Sequence, residues 1–151
     1  MQIVTITMGG TGARTASDAR TNLGVPTGTS GNVLGFLDGR NQWSAGQVGD
    51  IVTLSDAATI AVDLSLGNNF KVTLGGNRTL GNPTNQLSGQ SGVILIQQDV
   101  TGGWTLNYNA SFKFENGIAP IIPTTASSNS LLTYYVVEAN LIFASLIEDI
   151  Q

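Results

Sequence analysis

Phe70-Lys71-Val72-Thr73-Leu74 alternates without a break: Phe70, Val72 and Leu74 fall on one side of an extended chain, Lys71 and Thr73 on the other. Side chains two apart on a strand share a face, so this period of two predicts a strand with one covered and one wet face. Shorter stretches of the same kind precede it, at residues 51–54 and 59–64. After it, Val93-Ile94-Leu95-Ile96 is apolar at every position, which predicts a strand covered on both faces. Trp104, Leu106 and Tyr108 alternate with Thr105 and Asn107, and Phe112 and Phe114 share a face. Residues 131–138 and 141–147 close the chain as two strands around Ala139-Asn140, a tight turn in which Asn can take a positive φ.

Turn signals recur every 8–12 residues here, and no helical period appears after Leu23. That spacing predicts an all-β domain over residues 48–151, an antiparallel β-sandwich or jelly roll of about eight strands. Residues 75–85, rich in Gly and Asn around Pro83, are expected to form a loop. Residues 1–47 read as a separate N-terminal oligomerisation or attachment segment. In it, Gln2 to Thr7 is β-branched enough for a strand, and Thr15 or Ser17 can cap a short helix. A two-turn helix is marginal alone in water, so this segment needs support from the rest of the protein or from neighbouring copies.

Composition narrows the chemistry. The chain of 151 residues has neither Cys nor His, which removes disulfides, thiolate metal sites and every His-based triad. Only 11% of residues are charged, against about 25% in an average soluble domain. The net charge is −4 and the six Lys and Arg form no run, so a nucleic-acid partner is not expected. No apolar stretch is long enough to span a bilayer as a helix, so no membrane insertion is expected. The N-terminus lacks the basic and apolar regions of a secretory signal. Asp56 with Asp63 and Glu148 with Asp149 are the closest acid pairs to weigh for glycosidic chemistry, the first lying at strand ends, and Asp63 and Asp99 are the acids to weigh for calcium. The positions of Asp56, Asp63 and Asp99 are explained as well by turn solvation. No enzyme activity, cofactor or metal is expected.

Residues 9–24, Gly-Gly-Thr-Gly-Ala-Arg-Thr-Ala-Ser-Asp-Ala-Arg-Thr-Asn-Leu-Gly, resemble a module recurrent in bacteriophage tail-fibre proteins. A second set is Gly75-Gly76-Asn77-Arg78-Thr79-Leu80, Asn82-Pro83-Thr84-Asn85, Gln98-Asp99 and Gly102-Gly103. It is similar to a β-domain of phage and gene-transfer-agent structural proteins. The resemblances imply a non-enzymatic virion protein, made in the host cytoplasm and carried on the phage particle. They imply a homo-oligomer, usually a trimer: a tail-fibre, spike or head-fibre subunit whose β-domain attaches to a host surface. The other reading is a capsid decoration or cement protein, or a tail adaptor. Partners are then further copies of the chain, other virion proteins and a host-surface glycan.

Ile3, Val4, Ile6, Leu23 and Val25 are the residues expected to face other copies. Trp43, Trp104 and Tyr108 are the aromatics available to a receptor or an interface, since flat rings stack on sugar faces and dominate interface cores. For Trp104 and Tyr108 the alternation points to the core as well.

Overall fold

The computed structural model describes residues 10–23 and 48–150. The chain divides into two parts between Gln47 and Val48. In the first, Thr15 caps helix α1 (Ala16–Asn22), its hydroxyl accepting from the Asp18 amide at 3.0 Å. The Asn22 side chain donates back to the Thr11 carbonyl at 2.9 Å. Of the two caps the sequence offered, Thr15 is the one used.

The second part holds nine strands among the described residues: β1 (Ile51–Thr53), β2 (Thr59–Ile60), β3 (Asn69–Leu74), β4 (Arg78–Leu80), β5 (Ser91–Gln98), β6 (Leu106–Tyr108), β7 (Phe112–Lys113), β8 (Asn129–Glu138) and β9 (Leu141–Ile147). They form a six-stranded sheet, β1-β3-β5-β8-β9-β7, and a three-stranded sheet, β2-β4-β6. The chain alternates between the two, and each return lies parallel to the strand it left: β3 on β1, β4 on β2, β5 on β3, β6 on β4. This is a β-helical winding. Ile51 pairs with Asn69 and Asn69 with Val93, so its turns take 18 and then 24 residues. The winding ends in a hairpin, with β8 antiparallel to β5 and to β9, and β7 parallel to β9 beyond it.

The strand-rich class matches the expectation, but the antiparallel sandwich or jelly roll does not describe these sheets. Five of the seven strand pairings are parallel. The physical reason is that face alternation and turn spacing are the same whichever way the neighbouring strand runs. The expected loop at residues 75–85 also contains β4.

The inward faces meet in one core. Phe70, Val72 and Leu74 of β3 are buried beside Ile94 and Ile96 of β5, Leu132 and Val136 of β8, and Ile142 of β9. The small sheet adds Ile60, Leu80 and Leu106. Asn140 takes φ 63° in the turn between β8 and β9. Its neighbours pair from Glu138↔Leu141 to Leu131↔Ile147, with one irregularity between Val136 and Glu138.

Candidate functional site

The most distinctive polar motif of the sequence becomes a set of ties between successive turns. Asp56, after β1, receives the Arg78 guanidinium in two bonds of 2.6 and 2.7 Å and the Gly75 amide at 3.2 Å. Asn77 accepts from the Thr105 amide at 2.9 Å, and Asn82 from the Ser111 amide at 3.0 Å, each reaching the following turn. Asp63 caps the short 3₁₀ turn Leu64–Leu66 and receives Asn85 at 2.7 Å. Gln98, buried, donates to the carbonyls of Trp104 and Pro123 at 2.8 and 3.0 Å while accepting from the Trp104 amide at 3.1 Å. The buried Gln98 amide is thereby satisfied at both its nitrogen and its oxygen, as a core position requires. A parallel winding joins its turns by long crossovers, and these side chains fix the corners that those crossovers leave.

Of the carboxylates weighed, Asp56, Asp63 and Asp99 are engaged as turn supports. Arg78's hydrogen bonds hold Asp56 below the usual carboxylate range. Asn85 and then Ser65 do so for Asp63. The Gly102 amide and the Trp104 indole do so for Asp99, which also receives the Thr101 amide. A general acid needs the opposite shift.

The aromatic candidates separate. Trp104 is half-buried against the core, with its indole N–H donating to Asp99 Oδ1 at 2.9 Å. Tyr108 also packs on the core, its ring edge-on to Phe114 at 4.7 Å and to Phe112 at 6.2 Å. Burial, with Glu148 secondary, pushes its hydroxyl well up. A cleft of about 330 Å³ lies here, lined in part by Asn109, Lys113 and Phe114. Leu23 is exposed at the end of α1. Ile3, Val4, Ile6, Val25 and Trp43 lie outside the described residues.

The outward face of the six-stranded sheet is a feature no sequence motif marks. Register places Leu95, Leu131 and Ile147 in one row with Lys71. The next row holds Val93, Thr133 and Ser145 with Asn69, and the third Tyr135 and Phe143 with Lys113. Tyr135, Phe143 and Ile147 are 49%, 54% and 53% exposed on this one sheet face, and exposed apolar side chains gathered on one surface mark interaction sites. The available signal was the apolar run of β5, which implied cover on both sides, together with β9, apolar at both parities. Among the described residues nothing forms the second cover: Val93 and Leu95 are only half-buried. No family model, curated protein or solved structure matches the chain.

Proposed function

We propose that this chain is a non-enzymatic structural subunit of a bacteriophage particle that works as a homo-oligomer. Its wound β-domain is a stiff presenting element, in a tail fibre, spike or head fibre, for attachment to a host surface. The observation that carries the reading is where the polar side chains go. The motif residues Asp56, Arg78, Asn77, Asn82 and Gln98 tie turn to turn, leaving sheet faces and loop rims as the working surface. Support also comes from residues 9–24, whose resemblance to the tail-fibre module stands beside a capped short helix. Attachment of this kind gains from number, since weak sites repeated on several subunits raise avidity by about 10²–10⁴.

Two measurements test it. Light scattering of the full chain gives a homo-oligomer, and deleting residues 1–25 lowers its order; an unchanged mass removes the N-terminal segment from the interface. Quantitative mass spectrometry of particles gives tens of copies for a fibre, whereas several hundred would move the protein to capsid decoration.

A further inference from the structure

We infer that the outward face of the six-stranded sheet is where a second copy of this chain packs, sheet against sheet. The inference deepens the homo-oligomer reading by adding a surface separate from residues 1–25.

Four observations converge. First, β1, β3 and β5 are parallel neighbours, and parallel strands are ordinarily covered on both faces. Here the inner side chains Phe70, Ile94 and Ile96 are buried, while the outward Val93 and Leu95 are half-buried. Second, β3, β5, β8 and β9 are each hydrogen-bonded on both sides. An occupant therefore cannot add a strand there and must meet the face with side chains. Third, the rows carry Lys71 and Lys113 at opposite margins. Two separated lysines make too thin a cationic footprint for nucleic acid or an anionic membrane.

The fourth is relief. The row of Leu95, Leu131 and Ile147 and the row of Tyr135 and Phe143 are tall, and the row of Val93, Thr133 and Ser145 between them is low. Like-facing rows on a strand are about 6.8 Å apart. A copy turned about a two-fold axis and shifted by one row sets its ridges into this groove, and a two-fold interface requires such self-complementarity. With strands about 4.8 Å apart, the face is about 24 Å by 17 Å in outline; a copy offset by one row overlaps about 24 Å by 10 Å of it, so a pair buries on the order of 600 Å² once side-chain relief is counted, below the roughly 1,000 Å² of a specific contact. The contact is therefore weak alone, and it strengthens where copies are already held together.

The chain contains no cysteine, so one introduced thiol reports only on contacts between molecules. Ser145→Cys in the full chain sits in the groove, with Thr133→Cys on the neighbouring strand as a second probe. Val100→Cys, 88% exposed in a turn after β5, is the control. With a short bis-maleimide, the groove thiols give covalent dimer in at least ten-fold higher yield than Val100→Cys. Adding Phe143→Lys removes that excess while leaving the far-UV circular dichroism unchanged. Equal yields from groove and control overturn the inference, as does indifference to Phe143→Lys. Slow maleimide labelling of Ser145→Cys in a monomeric sample also overturns it, because the chain would then cover its own face. A chain monomeric at every concentration defeats the homo-oligomer reading too. An oligomer insensitive to Phe143→Lys but lost on deleting residues 1–25 defeats this inference alone.

Discussion

Asp56, Asp63 and Asp99 are the residues through which pH reaches this fold. All three carboxyls titrate below their ordinary range in the folded chain, because their hydrogen bonds favour the charged form. A depressed folded value means the stabilisation is complete above the unfolded value, about 3.9, and is lost as pH falls through the folded values. Tyr134 works at the other end. Burial pushes its hydroxyl up to about 12, so its share is complete below about pH 10 and fades above it. With no His in the chain, no side chain titrates ordinarily between them. Thermal melts should therefore be flat from about pH 5 to 8 and fall below about pH 4. A mid-range step in melting temperature would contradict this assignment.

Gly102 and Gly103 give a paired test at the same scale. Both have positive φ, 67° and 85°, but a Cβ on Gly102 would lie 2.6 Å from the Ala126 amide nitrogen, whereas one on Gly103 meets nothing within 4 Å. Gly103→Ala should cost only the left-handed penalty, about 1–2 kcal/mol. Gly102→Ala adds a backbone collision and should cost about 2–4 kcal/mol. Urea midpoints at constant slope compare the two directly; equal losses would mean that the loop at Ala126 yields freely.

Among the elements, the β8–β9 hairpin is governed by one backbone angle. Asn140 sits at φ 63° and its side chain makes only a 3.5 Å contact with Ser111. Asn140→Gly should change stability by less than about 0.5 kcal/mol, whereas Asn140→Val, β-branched at positive φ, should lose about 1–2 kcal/mol. Chemical denaturation separates them. This turn was readable in the sequence because Ala-Asn between two apolar runs carries its own mechanism. Strand β3 was readable because a period of two survives in its side chains, and β5, β8 and β9 because they are apolar runs bounded by turn residues. Strand direction was not: Phe70, Val72 and Leu74 point inward whether β5 runs with them or against them. Strand β4 was hidden because Arg78, Thr79 and Leu80 are only three residues amid Gly and Asn. Its place depends on β2 and β6, which come from other turns.

For the molecule as a whole, the polar motif could be seen in the sequence but its task could not. Asn77, Arg78 and Gln98 look alike as letters whether they grip a ligand or a neighbouring turn, and only the winding brings Thr105, Asp56 and Pro123 to them. Exposure of Tyr135, Phe143 and Ile147 was equally hidden, because β9 is apolar on both faces apart from Ser145 and its cover depends on what lies across the sheet.

The β8–β9 hairpin that pairs beside β5 has a further consequence, for how such a domain can lengthen. An extra coil introduced downstream of β5 would have to wedge between β5 and β8, breaking a seven-residue register. β1 and β2, by contrast, each have a neighbour on one side only among the described residues. Relatives of different size should therefore differ in the number of coils ahead of β1, with the closing hairpin kept at constant length.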